Sequence, residues 1–155
     1  MSKIIAAAFL FTLVAAAASA QPRYYPNSDS ATAKDTSFVV SAGERQNLSI
    51  GWNCFGEGPG VIVMFTKHLV GSSGTVTLEY GVPPGSPQPP LALPIIDSRK
   101  GALVPMSQVS DFTDVALSGE TLLVRIQDGG DELIDAISLK GLAFELLKLP
   151  CFADR

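Results

Sequence analysis

TLLVRIQDGGDELIDAISL, residues 121–139, decides the fold class of this chain. Thr121 to Asp128 reads as a strand rich in branched apolar residues, DGGDE as turn punctuation, and residues 133–139 as the returning strand. The run therefore predicts an antiparallel hairpin. Leu133, Asp135, Ile137 and Leu139 fall on one face of the second strand and Ile134, Ala136 and Ser138 on the other, an alternation only partly kept.

Working outward, further short strands alternate with turns. SFVV, residues 37–40, supplies a first strand and LSIGWNC, residues 48–54, a second, with Leu48, Ile50 and Trp52 on one face. GEGPG, residues 56–60, reads as a turn, and VIVMFTKHLV after it as a strand buried on both faces. GSSG then leads into TVTLEYG, residues 75–81, and the two apolar runs predict a hairpin closed by a loop of about four residues. VPPGSPQPP, residues 82–90, lacks five backbone N–H groups and reads as an extended surface loop. LALPIID and ALVPM are short strands whose Pro94 and Pro105 suit sheet edges. SQVSDFTDVAL, residues 107–117, is expected as a short helical or irregular connection.

The chain opens on MSKIIAAAFLFTLVAAAASA, with Lys3, an apolar run from Ile4 to Ala18, and small residues at Ala18 and Ala20. That pattern predicts a secretory signal peptide over residues 1–20, cleaved after Ala20; a run of 15 apolar residues is shorter than the roughly 20 needed to span a bilayer. Residues 21–36 read as an irregular lead-in docked by Tyr24 and Tyr25, and residues 37–155 as one β-sandwich domain. Without the leader, ten Lys and Arg face 15 Asp and Glu, a formal charge of −5. Such a balance carries no electrostatic footprint for nucleic acid or an anionic membrane surface.

Only Cys54 and Cys151 are present, and export makes their pairing the expectation, closing a loop worth about 4–5 kcal/mol in chain entropy. The bond bears on SLKGLAFELLKLPC, residues 138–151. Leu142, Leu146 and Leu149 share a helical face, Phe144 and Leu147 extend its apolar surface, and Glu145 and Lys148 are solvated. Pro150 is expected to stop this helix and Cys151 to fasten its end to Cys54, so that it lies as a lid on the sandwich.

With these parts in place, residues 121–151 resemble the VasI/TagO-like family of periplasmic proteins associated with type VI secretion. The matching positions are Leu122, Val124 and Arg125, then Leu139, Gly141, Leu142 and the final Cys151, within a likeness running from Trp52 to Cys151. Where that family has an Arg-Phe-Asp-like strand end and a downstream Trp, this chain has Leu78, Glu79 and Tyr80 and then a proline-rich loop with no Trp. The resemblance implies association with a secretion apparatus or the cell envelope.

Catalytic chemistry is not legible. The sole histidine, His68, sits beside Lys67 with no nucleophile turn nearby, so no Ser-His-Asp arrangement is supported. Asp128, Asp131, Glu132 and Asp135 form the densest acidic cluster; a solvated turn is the plain reading and a loose cation site or a two-carboxylate hydrolase the others. No phosphate loop, dinucleotide fingerprint or zinc spacing occurs, so no cofactor or metal is expected. Asn47-Leu48-Ser49 matches a glycosylation acceptor, frequent by chance. Arg99 and Lys100 form a charged tip that offers a partner contact, with plain solvation the alternative.

The expectation is a mainly β protein, an antiparallel β-sandwich of about seven to eight strands with a short C-terminal α-helix and one disulfide. It is expected to be periplasmic or secreted, to lack a membrane span after cleavage, and to act without catalysis as an accessory or binding protein of the envelope. The alternatives are a small inhibitor of a wall-degrading enzyme, presenting a loop such as GSSG or PPGSPQPP, and a carboxylate-dependent hydrolase.

Overall fold

The computed structural model describes residues 20–32, 34–55, 58–66, 74–96 and 100–154. Nine strands among them form two antiparallel sheets. The first has the order β1 (Arg23–Tyr25), β2 (Phe38–Ala42), β3 (Leu48–Phe55), β4 (Gly58–Phe65) and β7 (Gly101–Leu103). The second has the order β6 (Leu91–Pro94), β5 (Thr75–Gly81), β8 (Thr121–Asp128) and β9 (Asp131–Ser138). Single bridges, Gly43 with Ile137 and Ile95 with Ala102, stitch the sheets together at opposite edges.

Alternation decides which side chains enter the core. On β3, Leu48, Ile50 and Trp52 point inward and are fully buried; on β8, Leu122, Val124 and Ile126 do the same from the opposite sheet. Each such aliphatic side chain removed from water contributes about 1.5–3 kcal/mol before entropy is set against it. The hairpin of β8 and β9 has the expected register, Leu122 opposite Ile137 and Asp128 opposite Asp131, with the turn at Gly129 in left-handed conformation, φ +59°. β6 and β7, the strands beside Pro94 and Pro105, are sheet edges as their prolines predict.

Several expectations are corrected. The apolar runs either side of GSSG do not pair: β4 lies between β3 and β7, whereas β5 lies between β6 and β8 in the other sheet. The chain changes sheets between them, and two branched apolar runs look alike whether they pair or face each other across a core. β4 also takes in Gly58, Pro59 and Gly60, expected as turn, and buries Val61, Val63 and Phe65 while Ile62 and Met64 are half-buried on its outer face. Those two fold over Gly51 of β3, where a Cβ would lie 3.0 Å from Ile62 Cγ2.

Residues 21–36, expected as an irregular lead-in, contain β1, which raises the strand count to nine. Tyr25 stacks on Phe38 with ring centroids 5.2 Å apart, and the hydroxyls of Tyr24 and Ser37 are 3.0 Å apart. The docking by the two tyrosines is therefore as expected, and backbone pairing follows from it.

The closing helix is split. Helix α1 (Val109–Leu117), entered through a 3-10 turn at Met106–Gln108, buries Phe112 against Tyr80, centroids 5.0 Å apart. After β9 come α2 (Leu142–Leu146) and α3 (Pro150–Ala153) in place of one continuous helix. Leu149 is extended, φ −95° and ψ 121°, as a residue before proline prefers, and Pro150 opens α3, where a missing N–H costs nothing. Leu142, Leu146, Leu149 and Phe152 are buried, but Phe144 and Leu147 are 66% and 60% exposed. Helical turns this short are held by packing and by the Cys54–Cys151 disulfide, which joins α3 to β3 across 97 residues with a Cα–Cα distance of 5.8 Å.

Candidate functional site

The outer face of the second sheet carries a groove, built by register and by one glycine. Pairing places Gly81, Leu123 and Ala136 in one cross-strand row and Glu79, Arg125 and Ile134 in the next. Below them comes a polar row of Thr77, Gln127 and Glu132. Gly81 lets the proline-rich loop turn back over the sheet: a Cβ there would lie 3.2 Å from Pro87 Cα. Gln88 N–H donates to the Tyr80 carbonyl at 2.9 Å, and Gly85 N–H to that of Val82 at 2.9 Å, with a cis peptide bond between Pro83 and Pro84.

The result is a cleft of about 370 Å³, walled by Pro83, Pro84 and Pro87 and lined across the strands by Leu123 and Ile134. These two large aliphatic side chains are 49% and 41% exposed, although each belongs to a regular strand. The Arg125 guanidinium closes the charged end, donating from both Nε (2.8 Å) and Nη2 to Glu79 Oε2, with Glu132 a further 3.7 Å neighbour. Two carboxylates against one guanidinium leave the rim acidic. The opposite side of this strand layer is sealed: Tyr80 points inward, and burial first, then the Asp111 carboxylate, pushes its phenol above the ordinary range.

The acidic cluster of the β8–β9 hairpin is not one solvated turn. Glu132 is exposed, but Asp128 is buried and Asp135 is only 2% exposed. The Asp135 carboxylate is a scaffold: Oδ1 accepts N–H groups of Arg45 and Ala136, each at 2.9 Å, and Oδ2 those of Asn47 at 2.8 Å and Leu48 at 3.2 Å. It thereby holds the β2–β3 loop against β9, and Glu44 N–H adds a bond to the Ala136 carbonyl. Asn47, the glycosylation candidate, donates its side-chain amide to the Ile134 carbonyl. Among the described residues no group of three His, Cys, Asp or Glu is placed to hold a metal ion.

At the first sheet's free edge, Glu145 of α2 accepts the Tyr24 N–H at 3.0 Å and meets Lys148 Nζ at 2.8 Å. The hydrogen bond from Lys148 first, with the Tyr24 N–H and the ammonium charge adding to it, holds the Glu145 carboxyl below its usual range against the opposing effect of burial. A similar depression acts on Asp35 through the Ser37 side chain and backbone. A paired N–H on β1 protects that edge from another chain's strand.

Of the residues singled out from sequence, Cys54 and Cys151 are joined as expected. Lys100 is exposed at the start of β7, and its carbonyl accepts the Phe65 N–H at 2.7 Å. Arg99, its companion in the charged tip, lies outside the described residues, as do His68 with Lys67, most of GSSG, and the leader before Ala20. Leu123 and Ile134 were not legible as surface features. The signal was the unbroken Leu122-Leu123-Val124, apolar on both faces of a strand.

Among the described residues no helix is long and apolar enough to cross a membrane. No protein-family model matches the chain, and no curated protein matches it. Among solved structures, the crystal structure of invasion associated protein B from Bartonella henselae aligns with a TM-score of 0.59, covering 87% of this chain and 94% of that one at 10% identity. A likeness at that identity shows a shared fold.

Proposed function

We propose that this chain is an exported, non-catalytic binding protein of the cell envelope whose recognition surface is the proline-walled groove. The observation that carries the reading is the exposure of Leu123 and Ile134 beside a loop whose prolines restrict its conformations before any partner arrives. Rigid walls lower the ordering cost of binding, and an apolar patch with a polar rim has the anatomy of an interface core. The acidic rim selects a protein partner that inserts an apolar side chain and sets a basic group against Glu79 or Glu132. The likeness of residues 121–151 to the VasI/TagO-like family supports a partner in a secretion apparatus.

A photo-crosslinking residue at Ile134 should give a discrete protein adduct in exporting cells, and the same residue at exposed Ala92 of β6 should not. Adding Leu123→Asp should abolish the Ile134 adduct. Equal labelling at both positions, no labelling at Ile134, or an adduct indifferent to Leu123→Asp counts against the groove. The exposed, proline-stiffened loop at residues 82–90 also favours a second reading, insertion into the cleft of a wall-degrading enzyme. That reading predicts slower clearing of a peptidoglycan suspension by a muramidase in the presence of the protein.

A further inference from the structure

We infer that the groove also takes a second copy of this chain, held head to tail: the exposed face of α2 on one copy seats Phe144 and Leu147 against Leu123 and Ile134 of the next. The inference rests on the groove reading and adds an occupant that the chain itself supplies.

The groove asks for an apolar side chain with a cation beside it, and α2 offers both. Among the described residues only Met106 exposes more of a large apolar side chain than Phe144 and Leu147 do. Leu147 caps α2 in helical conformation, so the two stand three residues apart on one face, with Cβ atoms about 5–6 Å apart. Leu123 and Ile134 are diagonal neighbours on β8 and β9, a spacing of about 7–8 Å between Cα atoms and less between side chains. Two apolar prongs therefore meet two others at comparable spacing, the geometry by which an exposed helix face enters an apolar groove.

Charge matches as well. At the groove's end Glu79 and Glu132 exceed Arg125 by one acid; around α2, Lys140 and Lys148 exceed Glu145 by one base. Lys148 is held by Glu145, but Lys140, exposed in the turn before α2, has no ion-pair partner among the described residues. It is the cation free to meet Glu79 or Glu132. A chain with more acids than bases repels its own copies, and these opposite local surpluses fix the orientation in which two of them approach. The two surfaces cannot meet within one copy: Glu145 ties α2 to the Tyr24 N–H at the edge of the first sheet, and no residue of α2 lines the groove. The contact is therefore heterologous, leaving a groove free at one end and an α2 at the other, so that association runs on into a chain or closes into a ring. A five-residue helix in one cleft is a small contact of the transient class, formed at high protein concentration.

Sedimentation equilibrium of the protein purified from exporting cells, from micromolar to millimolar concentration, tests this. The weight-average mass should rise with concentration above that of one chain, and Leu123→Asp or Leu147→Asp alone should hold it at one chain. Mixed in equal amounts, the two variants should associate again and stop at two chains, since each pair has one intact groove and one intact α2. Where Leu147→Asp loses the native circular dichroism spectrum, Phe144→Ser takes its place. A wild type that stays at one chain throughout, or a mixture that fails to associate or grows past two chains, would overturn the second copy as occupant and leave the groove reading to the Ile134 crosslink. Association that survives in either single variant would place the contact on another surface and overturn it too.

Discussion

Asp135 Oδ2 accepts the backbone N–H of Asn47 at 2.8 Å across 88 residues of chain, in a place where Gly43 leaves no room for a side chain. The β2–β3 loop and the β9 edge are thus one unit, tied by a buried carboxylate that also accepts from Arg45, Leu48 and Ala136. Asp135→Ala strands several N–H groups, and leaving even one buried donor unpaired costs about 1–3 kcal/mol. We predict a loss of at least about 3 kcal/mol in urea unfolding for Asp135→Ala, since more than one donor is orphaned. A loss under about 1 kcal/mol would show that the loop is not held this way.

Gly43 makes the complementary case. A Cβ at this position would lie 2.1 Å from Asp135 Cγ, inside any tolerable contact, and the carboxylate cannot retreat without releasing its four donors. Gly43→Ala should therefore unfold at lower urea than wild type by an amount similar to Asp135→Ala. In the double variant the two costs should be far from additive, because both act through one set of bonds. Additive losses would place the two residues in separate roles.

Breaking the Cys54–Cys151 bond releases a loop of 97 residues in the unfolded chain, worth about 4–5 kcal/mol in the entropy model. Cys54→Ser with Cys151→Ser should lower the urea midpoint accordingly. The loss should first appear as exchange of backbone amides in α2 and α3, whose short turns depend on the link. Unchanged protection there would show that Leu142, Leu146, Leu149 and Phe152 hold the helices unaided.

How much of this was legible depended on whether a pattern was local. The β8–β9 hairpin could be read because Leu122, Val124 and Ile126 alternate and DGGDE fixes the turn. The Cys54–Cys151 pair followed from the expected export and the even count, and Pro94 and Pro105 correctly marked edges. Sheet assignment was not local: β4 and β5 lie in different sheets, and nothing in VIVMF or TVTLEY distinguishes a neighbour from a facing strand. The lead-in became β1 because Tyr25 finds Phe38 and Glu145 finds the Tyr24 N–H, contacts as distant as 121 residues. Pro150 was read as a stop, yet the same ring that ends one helix can open the next. The groove needed Gly81 to return the proline loop over Leu123, which only the register reveals.

Acid sensitivity should have a contribution from Glu145. Its folded carboxyl sits below the ordinary value of 4.5 because Lys148 donates to it. A depressed carboxyl contributes stability fully above the unfolded value and loses it as pH falls toward and through the folded one. Glu145→Gln removes that dependence, so variant and wild type should differ most near neutral pH and converge in strong acid. The readout is the thermal midpoint across a pH series at low salt; a gap that widens below pH 4.5 would reverse the sign argued here.

The groove itself is predicted to be separable from folding. Leu123 and Ile134 point away from the core, on the opposite faces of their strands from Leu122, Val124, Leu133 and Asp135. Replacing both by Asp should shift unfolding by no more than about 0.5 kcal/mol per site, the range of surface changes. It should also lower retention on a hydrophobic-interaction column, since two half-exposed aliphatic side chains leave the apolar part of a cleft that Pro83, Pro84 and Pro87 wall. Charges placed beside Glu79 and Glu132 would repel them, so Leu123→Asn with Ile134→Asn provides the uncharged control. If the Asn pair keeps wild-type stability and also reduces retention, the exposed side chains, and not a loosened fold, form the sticky surface. A loss above about 2 kcal/mol in the Asn pair would instead assign Leu123 and Ile134 to packing beneath the proline loop.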